Sequence, residues 1–537
     1  MVKFPTTVHR ALALSACLLT SGLLGGCGGG GGSPSAPTDT TPPTVASVIP
    51  ADKATGVSAT ASVTVTFSEA VDCAKAGSDA LVVTQGGISV PGALSCSGST
   101  LSFKPTSSLP TSATLTAMAS AGVTDLAGNR LGTAYVWQFS VPPWTVHLGS
   151  SGADAFNSVA SDASGSFYVA GSTAGSVDTA HPTGGALLVK YDAQGSQQWV
   201  RQIGARLDAA QSVAIDTEGN VFVGGRVETD PLAGNPGLAN AIFIAKYDKN
   251  GTRLWVKQFS SGTRDFLRAL QVDGSGNVIA VGYTQGRLFG ASGGGVDFFV
   301  VKLDGAGAML WGVQDGGPGS DNASNLAVSA AGDIFVVGYA GSALHGLPPS
   351  GGTDAFLIKY AADGTRQWMQ FIGSPGEEYG ESVNLDPSGN LDVLGRTSGA
   401  LAGQSSAGGL DAFVAKLDAT GAVQWIRQFG TAGDDYPNAM VRDASGGLRV
   451  AGYTTGAFAG ASHGGGLDGF VAKLDAGATL QWVRQWGGVG DEYVYGLVLD
   501  AAGNAFVTSM GAALPGIAGA GDLDAFLLKF ASDGTPR

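Results

Sequence analysis

The chain has 537 residues, with hydrophobic residues at 44%, charged residues at only 13%, and 86 glycines. That apolar content excludes a disordered chain, and many short strands joined by glycine turns are the class that uses so much glycine. The net charge of −14 lies wholly after residue 143, because residues 1–143 hold six acids and six bases; such a surface repels nucleic acid and anionic headgroups and tolerates cations, basic partners or neutral sugars.

At the N-terminus Lys3 and Arg10 precede an apolar run from Ala11 to Leu24, and Leu24-Gly25-Gly26-Cys27 follows. A basic region, an apolar core and small residues before a cleavage point make a secretory signal, with a run too short to span a bilayer comfortably. With Leu at −3 and Gly at −1 relative to the cysteine, the segment resembles the lipobox of bacterial lipoproteins. The resemblance implies that residues 1–26 are removed and that Cys27 becomes the acylated first residue, held by several chains. By the same resemblance Gly28, where an Asp would retain the protein, implies the outer membrane of a Gram-negative cell. The alternative is an ordinary cleaved signal with a chance cysteine. Residues 27–43 are a Gly/Ser/Pro-rich tether with nothing apolar to bury.

Residues 44–142 alternate strand-like runs (ASVTVTFSEAV, ALVVTQG, STLSFKP, ATLTAMAS, YVWQFSV) with turn signals, which predicts a β-sandwich. The pieces TPPTVASVIPADKATGV, VTFSEAVD, LSFKPTSSLP, AGVTDLAGNRL and VWQFSV resemble a bacterial Ig-like family of envelope and surface-layer proteins, and imply a spacer module. Cys17 leaves with the signal. Cys73 and Cys96 remain, and export to an oxidising compartment makes a disulfide their natural pairing. A metal-binding or free pair is the alternative, with no His nearby.

From residue 144 to 537 a repeat decides the architecture. Trp144, Trp199, Trp255, Trp311, Trp368, Trp425 and Trp482 recur at spacings of 55 to 57 residues. Each unit carries four strand-like pieces; from Trp425 they read WIRQFG, NAMVRD, LRVAGY and DGFVAKLD. Four strands per such period match a propeller blade. A Lys-containing strand also occurs seven times, at Lys190, Lys246, Lys302, Lys359, Lys416, Lys473 and Lys529. The strand at 144–149 has no blade before it, and the last Lys strand has no Trp strand after it. Pairing the first onto 521–531 closes a ring of seven and removes an exposed edge. The fold class is therefore all-β, an Ig-like sandwich followed by a seven-bladed propeller closed by its N-terminal strand.

Turns such as DTEGN and DPSGN join the second and third pieces as tight hairpins. A strand glycine recurs at Gly171, Gly225, Gly282, Gly338, Gly395 and Gly452, with Ser509 in the last unit, and close approach of the adjacent blade is the expected reason. The D-x-x-G-N turn, the V-x-G-Y/R-T piece and the D-A-F-V-x-K-L-D strand with its following Trp resemble the SBBP family of β-propeller repeats. That resemblance implies the fold and lends no activity.

Two acidic sets stand out. One follows the Trp strand: Asp154, Asp208, Asp265, Asp321, Glu378, Asp435, Asp491 and Glu492. The other precedes the Lys strand: Asp297, Asp354, Asp411, Asp468 and Asp524, with Gly185 and Ala241 at that position in the first two units. Both sets are expected to ring the mouth that carries the long loops, such as residues 454–467. Oxygens of this kind suit calcium, although no D-x-D-x-D-G loop occurs. The plainer reading is that each Asp caps a turn or pairs with a repeat Lys. The seven tryptophans are expected to pack blade on blade. Tyr379, Tyr436, Tyr493, Tyr495 and Trp486 are candidates for ligand contact. His147, His181, His345 and His463 are scattered through different blades, and no metal spacing, nucleophile elbow or phosphate loop is visible.

The sequence thus reads as a lipid-anchored envelope scaffold, not an enzyme, that binds an unknown protein or glycan and touches the membrane only through its anchor, with no cofactor. The alternatives are a propeller enzyme acting on polysaccharide and a purely structural envelope component.

Overall fold

The computed structural model describes residues 39–106, 109–111, 113–142, 144–177, 184–205, 208–228, 240–512, 514 and 521–537. The signal (1–26), Cys27, the tether up to residue 38 and His181 lie outside the described residues. All regular structure among the described residues is strand.

Two four-stranded sheets form the first domain. One orders Val45–Ile49, Val63–Phe67, Thr100–Pro105 and Gly92–Ser97; the other orders Ile88–Ser89, Leu81–Gln85, Ala113–Ala119 and Tyr135–Val141. Alternation in Val63–Phe67 buries Val63, Val65 and Phe67 and turns the two threonines outward, as a strand with one covered face requires. The inner faces meet around Leu101, Leu115, Trp137 and Phe139. The edge strand Gly92–Ser97 is too weakly apolar to show in the sequence pattern and forms through its ladder to Thr100–Pro105. It carries Cys96, which is disulfide-bonded to Cys73.

The remaining strands make seven four-stranded antiparallel sheets. The first comprises Asp154–Ser161, Phe167–Thr173, Gly185–Tyr191 and Gln197–Ile203. The last joins Tyr493–Leu499, Ala505–Gly511 and Asp524–Phe530 to Thr145–Leu148 from the far end of the domain, with Ala525 opposite Leu148 and Leu528 opposite Thr145. The first sheet packs in turn on the last, so the ring closes as the strand count predicts. Apart from the repeat Lys and the Asp that opens most of them, the third strands are apolar, and they are buried on both faces, as in Ala241–Tyr247 and Asp411–Leu417, because a neighbouring blade covers each side.

The repeat tryptophans sit at the outer edges of the blades and reach the next blade, yet all seven are only half-buried. They therefore clamp the rim of each seam, and the fully enclosed packing falls to the third strands. Each ring lies on a hairpin of the following blade: Trp144 on Gly195, Trp199 on Gly251, Trp255 on Gly307, Trp311 on Gly364, Trp368 on Gly421 and Trp482 on Gly534. In the hairpin that follows Trp425 by the same interval, Ala478 holds the positive φ, at 58°. A Cβ on Gly364, where φ is +87°, would come 2.9 Å from the Trp311 ring, and one on Gly421 equally close to the Trp368 ring. Several indoles also donate across the seam. Trp255 Nε1 reaches the Gly305 carbonyl and Trp311 Nε1 the Ala362 carbonyl, both at 3.1 Å, and Trp199 Nε1 reaches the Lys249 carbonyl at 3.3 Å. Trp482 is instead flanked by the guanidinium groups of Arg449 and Arg484. The repeat lysines lie at the tight-turn end. Lys302 pairs with Asp273 at 2.9 Å and Lys416 with Asp386 at 2.8 Å, so they hold the hairpin aspartates and not the acidic sets of the mouth.

Candidate functional site

In every blade the first strand lies nearest the axis, and its ladder to the second strand breaks register once. Each break leaves one extra residue on the first strand: Asn157, Gln211, Arg268, Ser324, Glu381, Asn438 and Tyr495. A bulge bends a strand and re-aims the inserted side chain. All seven of these residues line a single axial cavity of 590 Å³. In six blades the recurring strand glycine faces the bulge, and in the seventh Ser509 does. A Cβ on Gly171, Gly282 or Gly338 would run into the carbonyl oxygen of Ala155, Phe266 or Asn322 on the first strand of the same blade. The close approach is therefore within the blade, which corrects the expectation of contact with the adjacent one.

Around the loop-bearing end of this cavity runs a chain of rings and guanidinium groups. Phe266 stacks on Tyr283 at 4.8 Å, Tyr339 meets Tyr379 edge-on at 4.8 Å, and Tyr436 stacks on Tyr453 at 4.9 Å. Tyr453 continues to Tyr493 at 5.3 Å. Arg226 lies over Phe266, while Arg396 spans Tyr379 and Tyr436 at 4.6 and 5.4 Å. Guanidinium groups over ring faces and edge-to-face rings are each favourable when partly desolvated, and together they form a half-buried collar around the mouth.

The cavity charge is set by three residues. Arg396 pairs with Glu381 at 2.6 Å, and Arg268 is exposed in the lining. Burial raises the Glu381 carboxyl, opposed by the charges of Arg396 and Arg268. Burial also pushes the Tyr495 hydroxyl up, so it stays a neutral donor. The lining therefore offers amides, serine hydroxyls, tyrosines, one carboxylate and two guanidinium groups, with flat aromatic faces above them.

The acidic sets occupy the same end of the blades but do not line this cavity. Asp154, Asp208, Asp265, Asp321, Glu378, Asp435 and Glu492 are at most 2% exposed, as are Asp297, Asp354, Asp411, Asp468 and Asp524. Members of the first set accept a backbone N–H from the loop before them. Ser261 N donates to Asp265 and Gly317 N to Asp321, each at 2.7 Å, and Ser374 N donates to Glu378 at the same distance. In the second set Gln314, Gln428 and Gln485 on the fourth strand each donate Nε2 at 2.8 Å to Asp297, Asp411 and Asp468. In the closing blade His147 stands where these blades have Gln and lies 3.0 Å from Asp524. Asp491 is partly exposed; it takes the Leu467 N–H and the Tyr493 hydroxyl.

Tyr379, Tyr436, Tyr493 and Tyr495 join the collar or the cavity, whereas Trp486 packs on Phe530 away from them. The described histidines do not converge: His147, His345 and His463 bond Asp524, Asp315 and Asp468 respectively. Sequence reasoning misses Arg268, Glu381, Arg396, Tyr339 and Tyr453. A signal existed, because large apolar residues of the first strands stand three apart (Phe156 and Val159, Leu267 and Leu270), where an unbroken strand would space them by two.

The family model for a bacterial Ig-like domain matches residues 39–141, and that for a beta-propeller repeat matches residues 198–226 and 424–459. The chain is similar to Regulatory protein FlaEY of Caulobacter vibrioides, at 26% identity over 49% of this chain and 31% of that protein. It is also similar to an uncharacterized WD repeat-containing protein of Acanthamoeba polyphaga mimivirus, at 23% over 44% of this chain and 17% of the other. It spans less than a third of these curated relatives. Among solved structures, a polysaccharide lyase acting on ulvan aligns at 9% identity over 72% of this chain and 96% of its own, with a TM-score of 0.44. The beta-propeller domain of the Trilobed protease from Pyrococcus furiosus aligns at 10% over 70% and 93%, TM-score 0.40, and a puromycin hydrolase at 15% over 73% and 54%, TM-score 0.42. These likenesses are of fold. The expectation that the chain is not an enzyme is not upheld, because a propeller fold does not by itself decide whether its site is catalytic.

Proposed function

We propose that the chain is an envelope-anchored interaction protein whose propeller holds a hydroxyl-rich glycan segment at the loop-bearing end of its axial cavity. The observation that carries this is the pairing of the bulge residues with the aromatic collar. Pyranose rings present apolar C–H faces that suit tyrosine and phenylalanine, and hydroxyls that suit amide, guanidinium and carboxylate side chains. Concave sites with few convergent polar groups are where ligands bind. The Arg268 and Arg396 guanidinium groups also fit a uronate substituent in bidentate geometry. The anchor is Cys27, supported by the lipobox residues Leu24 to Cys27, and the tether and Ig-like domain lift the ring from an outer-membrane surface.

Titration of the full chain with neutral and uronate-containing oligosaccharides, followed by calorimetry and by product analysis for turnover, tests the site. Arg396→Ala and Arg268→Ala are expected to weaken binding about 10- to 100-fold each, the range of a lost charged hydrogen bond. Binding unchanged in both variants, or no glycan bound, refutes the site. Cys27→Ala is expected to move the chain from the membrane fraction to the soluble one; retention would refute the anchor.

A further inference from the structure

Between consecutive blades the two acidic sets come together. The seam between the fifth and sixth blades shows the arrangement. Asp411 opens the third strand of one blade and Asp435 the first strand of the next, and the Asp435 N–H donates to Leu410 O at 2.7 Å. Gly430 lies against both carboxylates. Asp435 Oδ2 is 2.5 Å from where a Gly430 Cβ would stand, and Asp411 Oδ1 is closer still. The Asp411 Oδ2 atom takes Ala407 N and Gln428 Nε2, each at 2.8 Å. Its Oδ1, enclosed and aimed into the seam, has no hydrogen-bond partner.

The seam between the third and fourth blades repeats this. Asp297 Oδ2 is held by Gly293 N and Gln314 Nε2, Asp321 Oδ2 by Gly317 N, and the Oδ1 atoms of both residues are buried without partners. The Asp297 Oδ1 again lies against a glycine, Gly316. No described ion pair reaches any of these four carboxylates. Asp435, for its part, takes Thr431 N at 2.6 Å and the Thr431 hydroxyl at 3.3 Å, so the orphan of its seam is the Asp411 Oδ1 alone. The seam between the fourth and fifth blades is satisfied on both sides: Glu378 takes Ser374 and Thr397 hydroxyls with Ser374 N, and Asp354 takes the N–H groups of Ser350 and Gly351.

An acceptor-only carboxylate oxygen enclosed without a donor, with a second carboxylate beside it across the seam, calls for positive charge. We propose that the Asp297–Asp321 and Asp411–Asp435 seams are divalent-cation sites of the calcium type, each ion clamped between carboxylates of consecutive blades. Hard carboxylate oxygens are the ligands calcium selects, and it takes six to eight of them with flexible geometry, so loop carbonyls and water complete the shell. Because the ligands come from different blades, the ion would act as a clasp across the ring. The competing way to neutralise such a pair is a shared proton. Burial pushes Asp321 to about 6, opposed by Gly317 N–H and reinforced by Asp297. Burial does the same to Asp435, against hydrogen bonds from Thr454 and Thr431 and with the help of Asp411.

Calorimetric titration of the chelator-stripped full chain with calcium chloride at neutral pH, with thermal melts in calcium and in chelator, separates the two. The expected result is two ions bound and a melting temperature raised by several degrees in calcium. Asp297→Asn and Asp411→Asn each remove one ion, and Asp354→Asn removes none. Should those variants fail to fold, the wild-type stoichiometry and melts stand as the test. The proposal is overturned if calcium has no effect while stability in chelator rises as pH falls toward 6, the mark of a shared proton. It is equally overturned if the Asp297→Asn/Asp411→Asn double variant keeps all its calcium. In that case the ion sits elsewhere, as at the Asp39, Glu69 and Asp125 cluster of the Ig-like domain.

Discussion

Ring closure rests on one four-residue strand, and removing its grip is the sharpest test of the architecture. Val146 and Leu148 are 5% and 8% exposed and pack among Phe167, Leu187, Phe506 and Leu527, side chains of the first and last blades. Truncating a buried Leu to Ala costs about 2–5 kcal/mol, and the two methyl groups lost from Val add about 1.5 kcal/mol. The double variant Val146→Ala/Leu148→Ala should therefore lose about 4–6 kcal/mol, a large part of the roughly 5–15 kcal/mol that holds a domain folded. Urea unfolding followed by tryptophan fluorescence reads this as a lower midpoint. Weakened pairing also bares the edge of Asp524–Phe530, so aggregation should rise with protein concentration. The matched control is Val423→Ala/Leu480→Ala, the first residues of two other outer strands, which are each 41% exposed and should cost about 0.5 kcal/mol or less apiece. If the closing-strand variant unfolds at the control's midpoint, Thr145–Leu148 does not close the ring.

Three further outcomes follow from local geometry. Gly364→Ala puts a side chain at a φ of +87° against the Trp311 ring and should cost about 1–3 kcal/mol. Gly346→Ala at φ +80°, with open space around it, should show only the backbone part of about 1 kcal/mol in the same thermal melts. Reducing the Cys73–Cys96 bond, or replacing both residues with Ala, opens a loop spanning 23 residues and should destabilise the Ig-like domain by about 3 kcal/mol, read from its own unfolding transition. At the hairpin of the fifth blade burial would raise the Asp386 carboxyl, but Lys416 and Asn390 outweigh it and hold the group well below the usual range. A depressed carboxylate stabilises above its unfolded value of about 4, and this is lost as pH falls through the folded value. The stability gap between wild type and Asp386→Asn should therefore be widest near neutral pH and shrink in urea titrations at about pH 3; a gap that grows in acid would contradict the pairing.

Much of this molecule was legible because a repeat restates its own local rules. The Trp and Lys positions, the turn glycines and the strand period depend on neighbours within a few residues, and seven copies average out the noise of any one. That is why the domain types and the closing strand could be read from the chain alone. The acidic sets show where such reading stops. Recurrence groups them into two sets, but whether a carboxylate in them meets water depends on the preceding blade. The Leu410 carbonyl that receives the Asp435 N–H, and Gly430 that leaves room beside it, belong to a different blade.

The cavity was hidden for a related reason. A bulge is a property of two strands at once: Arg268, Glu381 and Tyr495 turn toward the axis where the register breaks opposite Gly282, Gly395 and Ser509 on the neighbouring strand. Along one strand they read as ordinary residues between core positions. Sequence alone determined how many sheets there are, which strand completes the last, and which residues form the shared frame. The tertiary structure decided what the frame presents, since the side chains at the axis come from seven blades hundreds of residues apart, and only closing the ring brings them together.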